Sequence, residues 1–287
     1  MKRNEAVIQI NALSLSTKDA SILNNINLSV AQGAVIGLVG RNGAGKSSLL
    51  RCMAGLAVPT QGSSTLLGHP SKDLPDNVLE RLGYVAQAPD LFEWMEALEM
   101  LRAIGQAYPR WSEARCLSLA AKLNLPLGSQ IKNLSVGDQQ KLAVVLALAH
   151  DPDVLLLDEP VSNLDPLTRS EFMRALFVDR AVDEVQDADL RAARTIVISS
   201  HILSDLERVV SHVAFIRDGQ LQLFDAWDVI IENFRLVDSA EGELSIPAVV
   251  CKNPHTGQCV VDTRKVPQLS STGRSLSLDE LFAELNA

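Results

Sequence analysis

A glycine-rich segment, Gly40-Arg-Asn-Gly-Ala-Gly-Lys-Ser47, has the residue types and spacing of a phosphate-binding loop. It fits the pattern G-x-x-x-x-G-K-[ST], in which a tight turn directs backbone N–H groups at phosphate oxygens. Lys46 can reach the outer phosphates of a nucleoside triphosphate, and the hydroxyl of Ser47 can bind Mg²⁺. The predicted nucleotide contacts come from Gly40, Asn42, Gly43, Ala44, Gly45, Lys46, Ser47 and Ser48.

The segments on either side of this loop support the interpretation. Residues 34–39 form an apolar, β-prone run that predicts a buried strand, and residues 48–55 predict a helix. Strand, loop and helix are the context that the pattern requires, and the helix N-terminus adds partial positive charge. The sequence therefore predicts a site for a nucleoside triphosphate with Mg²⁺.

Two adjacent carboxylates, Asp158 and Glu159, follow a second apolar run at residues 154–157. The run predicts another buried parallel strand, and ligands of open α/β sheets bind beyond the carboxyl ends of strands. Asp158 would hold Mg²⁺, directly or through water, and Glu159 would act as general base on the attacking water. Two acids after a strand also fit a simple helix cap, but the phosphate loop favours the catalytic interpretation.

A third segment, Asn133-Leu-Ser-Val-Gly-Asp-Gln-Gln-Lys141, precedes an apolar helix predicted over 142–150. Here the chain resembles the nucleotide-binding subunits of the ATP-binding cassette (ABC) superfamily, whose signature is most often LSGGQ. The chain has Val136 where glycine is usual and Asp138 where glutamine is usual. Ser135 is a predicted helix N-cap, with Asp138 three residues further on; a plain capped helix is the alternative.

The resemblance implies roles for this signature segment. In the family, the serine hydroxyl and the second glycine's N–H contact the γ-phosphate of ATP held by the other subunit. Ser135 and Gly137 are therefore expected to bind ATP across a dimer. Val136 is tolerated if its side chain points away, whereas the charge of Asp138 is expected to weaken the contact with the phosphate.

Three further residues agree with the resemblance in identity and in order along the chain. Gln87 stands where the family's Q-loop glutamine reaches Mg²⁺ and the attacking water. Asp165, in the segment 162–166, stands in the D-loop that crosses the dimer interface. His201, after the apolar run 195–199, resembles the switch histidine that bonds to the γ-phosphate. The alternatives are a surface glutamine, a turn before a helix and a histidine without a catalytic role.

One family feature is missing from the N-terminal part. The family usually stacks adenine on an aromatic side chain upstream of the phosphate loop, and alignment places Thr17 there. Residues 1–40 contain no Phe, Tyr or Trp. Base stacking on an aromatic contributes ~1–3 kcal/mol, so we expect weaker ATP affinity and weaker base selectivity than in a stacked relative. Leu13 or Ile22 is expected to replace the ring in part.

Composition limits the other functional classes. The 287 residues are 47% hydrophobic and 21% charged, as expected of one large domain with an appendage or of two modest domains. The net charge of −9, without a basic stripe, argues against nucleic acid and against binding to anionic lipid by charge alone. No apolar run approaches the ~18 residues that span a bilayer, and no signal peptide is recognised. A cytoplasmic chain with free cysteines is therefore expected.

The predicted fold is α/β, a P-loop NTPase of the ABC-cassette type over residues 1–224. It has a β-rich N-terminal part and an inserted helical subdomain at about 88–135. Residues 225–287 form a small C-terminal α+β appendage, regulatory or dimer-stabilising. Its predicted elements are short strands at 246–250 and 259–261 and a serine-capped helix at 275–285.

Two other segments carry structural predictions. Cys251 and Cys259 flank a segment containing His255, but a metal site needs more ligands at tighter spacing, so a hairpin closing over 253–257 is favoured. The charged stretch at 177–194 is expected to be a solvated face.

The resemblance implies an ATPase that couples Mg-ATP hydrolysis to a separate integral membrane permease, as an exporter, on the cytoplasmic face of a membrane. Two cassettes would sandwich two Mg-ATP, as a homodimer or with a second ABC subunit. Phe92, Trp94 and Met95 stand where the family receives a short helix of the membrane subunit; core packing is their alternative role. A soluble single-cassette ABC regulator without a permease and a weakly active ATP-binding partner in a heterodimer remain open.

Overall fold

The computed structural model describes residues 6–162, 164–165, 168–169, 171–173, 176, 194–201, 203, 206–207, 209–238, 248–270 and 273–287. The charged stretch predicted as a solvated face lies outside the described residues, apart from Arg194.

The described strands are β1 (Ala6–Ser16), β2 (Ser21–Ala31), β3 (Val35–Val39), β4 (Gln61–Leu66), β5 (His69–Pro70), β6 (Leu82–Val85), β7 (Val154–Asp158), β8 (Thr195–Ser200), β9 (His212–Arg217), β10 (Gln220–Ala226), β11 (Phe234–Asp238), β12 (Val249–Lys252), β13 (Gln258–Asp262) and β14 (Arg274–Ser275). The described α-helices are α1 (Lys46–Met53), α2 (Asp76–Leu79), α3 (Ala97–Gly105), α4 (Glu113–Lys122), α5 (Val136–Ala149), α6 (Trp227–Asn233) and α7 (Leu278–Leu285). Short 3₁₀ turns lie at Ser71–Asp73, Ile131–Asn133 and Pro267–Ser270.

The central sheet positions the predicted site. Among the described residues it has six strands in the order β10-β9-β3-β8-β7-β6, parallel except for β10 at one edge. Every residue of β7 and β8 is buried, as expected for parallel strands covered on both faces. The loops that follow β3, β6, β7 and β8 leave from the same edge of the sheet, so the residues that they carry converge there.

The two faces of the central sheet pack against different elements. One face, with Ile36, Leu38 and Val197, shares a hydrophobic cluster with α1 and with the N-terminal strands. The N-terminal strands form an antiparallel sheet in the order β2-β1-β4-β5, which confirms the β-rich start. The other face contacts α5, the helices α3 and α4 and the C-terminal helix, in a second cluster that includes Leu155 and Ile198.

The predicted helices form with shifted boundaries. α1 begins at Lys46, two residues earlier than predicted, because Gly45 has a φ of 107° and the chain turns into the helix directly after it. The helix predicted from Leu142 begins already at Val136, behind the Ser135 cap, and ends at Ala149. α3 and α4 both fall within residues 88–135, where helices were predicted.

The C-terminal residues form a separate antiparallel sheet in the order β12-β13-β11-β14. β12 and β13 pair as the predicted hairpin, and Gly257 N–H donates to the carbonyl of Asn253 across its turn. The strand predicted at 246–250 begins at Val249; residues 246–247 lie outside the described residues. The terminal helix begins at Leu278, three residues later than predicted, behind a capping box of Ser277 and Glu280.

No helix within the described part of the chain is both long and apolar enough to cross a lipid bilayer.

Candidate functional site

The phosphate loop joins β3 to α1, and two of its glycines are required by the geometry. A Cβ on Gly40 would lie 2.4 Å from the carbonyl oxygen of Ile216, in the neighbouring β9 strand. Gly45 has a left-handed φ, and a Cβ there would lie 2.7 Å from Leu23 Cδ2. The loop therefore packs against backbone and core with no room for side chains at these positions.

Lys46 lies beneath this loop with only 6% of its surface exposed. Its ammonium donates to the carbonyl oxygen of Gly40 at 2.7 Å and lies 3.3 Å from Oε1 of Glu159. The second contact is an ion pair without hydrogen-bond alignment, since Glu159 Oε1 has no hydrogen-bond partner. A buried cation thus faces both the loop and the predicted general base.

Glu159 is held by two neighbouring strands. Its Oε2 lies 2.6 Å from Nδ1 of His201, which follows β8, and its side chain is buried. The backbone of Glu159 has a φ of 47°, in the left-handed region that disfavours residues other than glycine. The structure therefore brings together Lys46, Glu159 and His201, which sequence analysis had assigned separately.

Asp158 is bonded through a residue that sequence analysis missed. The hydroxyl of Ser199 donates to Oδ1 of Asp158 at 2.7 Å and accepts the N–H of Glu159 at 2.8 Å. Ser199 is fully buried in β8. The available signal was a serine directly after three apolar residues of a strand, which alone does not indicate which partner its hydroxyl bonds.

The charge of Asp158 also affects the pKa of Tyr84, on the neighbouring strand β6. Burial raises the pKa of the Tyr84 phenol, and the negative charge of Asp158 raises it further, against a smaller opposing effect of Arg51. The ring therefore stays neutral beside the carboxylate.

A cleft of about 480 Å³ opens over the phosphate loop. It is lined by Ile22, Asn42, Gly43, Gly45, Lys46, Ser47, Ser48, Gln87 and Glu159. Sequence analysis named each of these residues, from segments far apart in the chain. Gly40, Ala44 and Asp158 are buried and do not line the cleft. Of the two side chains expected to replace the aromatic ring in part, Ile22 lines the cleft, whereas Leu13 is fully buried in the core and does not.

The signature segment lies apart from this cleft. Ser135, Gly137 and Asp165 are not among its lining residues, and the side chains of Ser135 and Asp165 are exposed. Val136 is 61% exposed, so its side chain is not packed in the core of its own chain. The structure therefore does not place these residues with the phosphate loop of the same chain.

The Ser135 cap is present, with an additional contact. The hydroxyl accepts the N–H of Asp138 at 3.1 Å and lies 2.7 Å from Oδ2 of the same residue. Lys141 Nζ pairs with Asp138 Oδ1 at 2.9 Å. Burial favours the neutral acid, but the hydrogen bonds from Lys141 and Ser135 and the charge of Lys141 outweigh it, so the pKa of Asp138 is lowered. Asp138 is therefore an ionised carboxylate that engages the signature serine.

The cleft-lining Ser47 and Gln87, together with the buried Asp158, fit a Mg²⁺-nucleotide by their donor chemistry. The hydroxyl of Ser47, the carboxylate of Asp158 and the amide of Gln87 are hard oxygen donors of the kind that Mg²⁺ binds. The Oε1 atom of Glu159 is buried without a hydrogen-bond partner, as suits an acceptor for a proton from water. The loop N–H groups, the N-terminus of α1 and Lys46 suit phosphate.

Comparison with known proteins gives matches over the same segments. The family model described as "ABC transporter" matches residues 23–162. The lantibiotic transport ATP-binding protein SrtF of Streptococcus pyogenes is 30% identical over 224 residues, covering 77% of this chain and 92% of that protein. The bacitracin transport ATP-binding protein BcrA of Enterococcus faecalis is 30% identical over 220 residues, covering 76% of this chain and 68% of that protein.

Solved structures match as well, one of them over nearly the whole chain. The structure of an ATP-binding subunit of an ABC transporter aligns with a TM-score of 0.72 and 25% identity, covering 98% of this chain and 100% of that chain. The ATP-binding cassette MJ0796 bound to ADP and Pi aligns with a TM-score of 0.66 and 23% identity, covering 76% and 98%, and shows the same fold. The P-loop NTPase fold, the converging motifs and these similarities show that the chain belongs to the ABC transporter family, as one of its ATP-binding subunits, which are ATPases.

Proposed function

We propose that the chain is the energy-coupling subunit of an exporter-type ABC transporter, which hydrolyses Mg-ATP to drive a separate membrane permease. The observation that carries this proposal is the position of the Glu159 carboxylate, between Lys46 and His201 at the phosphate loop. Lys46 and Glu159, the proposed phosphate-binding cation and general base, line one cleft, and the imidazole of His201, which does not line it, bonds to the same carboxylate. The relatives named for lantibiotic and bacitracin transport support a role in transport. Relatives named Nod factor export ATP-binding protein I support the exporter type.

The phosphates of ATP would be held by the loop from Gly40 to Ser48 and by Lys46. Ser47, Gln87 and Asp158 would hold Mg²⁺. When bound, Mg²⁺ offsets the negative charge of the phosphates and polarises the γ-phosphate. Because Lys46 now bonds to the carbonyl of Gly40, a bound phosphate would exchange that contact for its own oxygens.

Hydrolysis would place one water molecule between Glu159 and the γ-phosphate. Glu159 accepts a proton from this water while the water oxygen bonds to the γ-phosphorus. The bond between that phosphorus and the bridging oxygen to the β-phosphate breaks, giving ADP and inorganic phosphate. His201 would bond to the γ-phosphate and keep Glu159 oriented through their mutual contact.

The proposed active form is a dimer with two composite sites. Ser135, Gly137 and Asp165 do not line the cleft of their own chain. A symmetric dimer would place them on the nucleotide of the partner, with the same surface used by both subunits. The partner is a second copy of this chain or another ABC subunit.

The proposed permease contact lies beside Gln87. A groove of about 340 Å³, lined by residues of β6, α3 and α5 and by Pro89, Asp90 and Leu91, opens there. Phe92 is 43% exposed and Trp94 is 74% exposed, and their ring centroids lie 5.2 Å apart. Both side chains are available to a partner. Met95 is half-buried against the core, which favours its packing role.

The proposed domain division follows the sheets. The cassette would occupy residues 1–224 with its helical subdomain at about 88–135, and the appendage residues 225–287. β10 belongs to the central sheet and ends at Ala226, which supports a boundary close to the predicted one. The appendage contacts the cassette through Arg217, which donates to the carbonyl of Leu285 at 3.0 Å. A regulatory or dimer-stabilising role for it remains part of the proposal.

Co-purification tests the transporter role. The chain is tagged in its native cell, membranes are extracted with mild detergent, and the proteins recovered with it are identified. We expect an integral membrane protein in equal amount, which would place the chain on the cytoplasmic face of that membrane. The Trp94→Ala variant is expected to recover less of it, whereas Val58→Ala, a control at another exposed apolar side chain, is expected to recover as much. Recovery from the soluble fraction alone, or with ribosomes or DNA, would overturn the proposal and favour a soluble regulator.

A further inference from the structure

Ser199 occupies a central place in the sheet, between the phosphate-loop strand and the strand of the two acids. In β8 it pairs with Leu38 of β3 on one side and with Asp158 of β7 on the other. It is fully buried, directly after three buried apolar residues of the same strand at 196–198. A hydroxyl in such a position costs free energy unless it is hydrogen-bonded.

The hydroxyl is bonded to both predicted acids, in two different ways. It donates its single hydrogen to Oδ1 of Asp158 at 2.7 Å, which is the length of a charge-assisted O–H···O bond. Its oxygen accepts the backbone N–H of Glu159 at 2.8 Å. Because a hydroxyl has one hydrogen and the amide can only donate, these roles cannot be exchanged.

Each of these two hydrogen bonds restrains a different one of the two acids. The bond to Asp158 occupies Oδ1 and fixes the rotation of the carboxylate. The bond to Glu159 holds the backbone N–H of that residue. Its φ of 47° lies in the left-handed region, which is unfavourable for residues other than glycine. The carboxylate of that same residue then meets Lys46 and His201. One hydroxyl thus links the metal-binding acid to the general base.

We propose that Ser199 is a positioning residue for ATP hydrolysis, whose hydroxyl orients the Asp158 carboxylate toward Mg²⁺ and holds the backbone of Glu159 in its catalytic conformation. This inference rests on the proposed roles of Asp158 and Glu159. It assigns Ser199 no contact with the nucleotide: Ser199 does not line the cleft.

The Ser199→Ala variant separates positioning from simple burial of a polar group. Nucleotide binding is measured with a fluorescent ATP analogue, first in EDTA and then across a Mg²⁺ titration, and kcat is measured at saturating Mg²⁺ and ATP. Binding in EDTA is expected to be unchanged, since Ser199 does not line the cleft. The Mg²⁺ concentration required for tight binding is expected to rise by ~10–100-fold, as for other groups that orient metal ligands, with a fall in kcat of similar size.

Two further variants act as controls. Ser199→Thr keeps the hydroxyl and is expected to recover most of the Mg²⁺ affinity. Ser71→Ala removes another buried hydroxyl, which donates to Ser64 at 2.9 Å away from the cleft, and is expected to leave both Mg²⁺ requirement and kcat unchanged. If Ser199→Ala does not fold, Ser199→Cys, with a weakly hydrogen-bonding thiol of similar shape, replaces it and is expected to show the same direction of change.

The outcomes distinguish this inference from the proposed function. An active wild-type ATPase with an unchanged Mg²⁺ requirement and kcat in Ser199→Ala would overturn the role of Ser199 alone. If Ser199→Ala lowers both the unfolding temperature and kcat but leaves the Mg²⁺ requirement unchanged, the proposal is also overturned. The hydroxyl would then be a purely structural contact. A wild-type chain without Mg²⁺-dependent hydrolysis would overturn the proposed function, and the role of Ser199 with it.

Discussion

Nδ1 of His201 lies 2.6 Å from Oε2 of Glu159, so the residues that follow β8 and β7 meet over the phosphate loop. The other oxygen of the carboxylate lies 3.3 Å from Lys46 Nζ. Glu159 is thus placed between a cation and an imidazole in a buried position, with its chemistry directed into the cleft.

Replacing Glu159 by Gln tests this placement. The amide keeps the shape of the side chain but cannot accept a proton from water, so hydrolysis is expected to fall by at least about 100-fold. ATP is still bound, and the variant is expected to be trapped as a closed dimer, detected by light scattering under saturating ATP and Mg²⁺. The matched control Lys46→Ala, which loses the phosphate-binding cation, is expected to remain monomeric. A monomeric Glu159→Gln variant would count against a homodimer.

Asp138 is expected to restrain the signature serine. Its ionised carboxylate lies 2.7 Å from the Ser135 hydroxyl and brings negative charge to the expected position of the partner's γ-phosphate. In Asp138→Gln the hydroxyl is released, and the ATP concentration needed for dimerisation is expected to fall about fivefold, for one hydrogen bond of about 1 kcal/mol. The requirement is measured by ATP titration in the Glu159→Gln background.

Replacing Lys141, which forms an ion pair with Asp138, is expected to have the opposite effect on dimerisation. Lys141→Met removes the cation that neutralises Asp138 at 2.9 Å, so the ATP requirement for dimerisation is expected to rise. If Asp138→Gln and Lys141→Met shift the requirement in the same direction, the carboxylate does not compete with the phosphate.

The missing aromatic predicts weak base selectivity. Ile22 is the apolar side chain that lines the cleft, and it offers no flat ring to adenine. We expect similar affinities for ATP and GTP. Thr17→Tyr is expected to tighten ATP binding by at least about fivefold, the lower end of the stacking contribution of ~1–3 kcal/mol, whereas Thr17→Ala has no effect. A wild-type chain that binds ATP tightly and refuses GTP would contradict this prediction.

An ion-pair cluster in the appendage predicts acid sensitivity. Arg264 bonds to the buried Asp262 at 2.9 Å and to Asp225 at 2.8 Å, and lies over the ring of Phe234. Burial favours neutral Asp262, but the hydrogen bonds and charge of Arg264 outweigh it and lower the pKa of Asp262 below its ordinary value of 3.8. The resulting stabilisation is present above that value and is lost as the pH falls through the lower pKa of the folded state.

Thermal unfolding between pH 7 and pH 2 measures this effect, because the loss begins only below the ordinary pKa of 3.8. Asp262→Asn is expected to unfold at a lower temperature at pH 7 and to lose less stability on acidification than the wild type. Asp238→Asn, which removes an exposed carboxylate on the same C-terminal sheet, is the control and should change neither property. Equal acid sensitivity in wild type and Asp262→Asn would show that another group is responsible.

Contiguous motifs were predictable because their chemistry is local. Phosphate recognition uses consecutive backbone N–H groups, so the order of residues from Gly40 to Ser47 carries the site, and glycine is the residue type that tolerates its turns. The Asp158–Glu159 pair was equally visible, because two consecutive acids directly follow a run of apolar residues at 154–157. The Ser135 cap followed from the preference of serine for that position, and the structure contains it.

The start of α1 and the identity of the apolar side chain that lines the cleft were decided by packing. Gly45 turns the chain directly into the helix. Lys46 is therefore the first helical residue, whereas the sequence predicted a start at Ser48. Leu13 and Ile22 are similar in size and polarity, and only the pairing of β1 with β2 and the core beneath them decided that Leu13 faces inward.

The residue types and their order along the chain therefore determined the phosphate loop, the acid pair, the signature segment and the family. Only the tertiary structure decided which of these groups touch. Glu159 and Ser199 lie 40 positions apart, and Glu159 and His201 lie 42 apart, yet both pairs bond because β7 and β8 are neighbours in the sheet. Hydrogen bonding across a sheet depends on strand order and register, and no spacing within one chain segment encodes either.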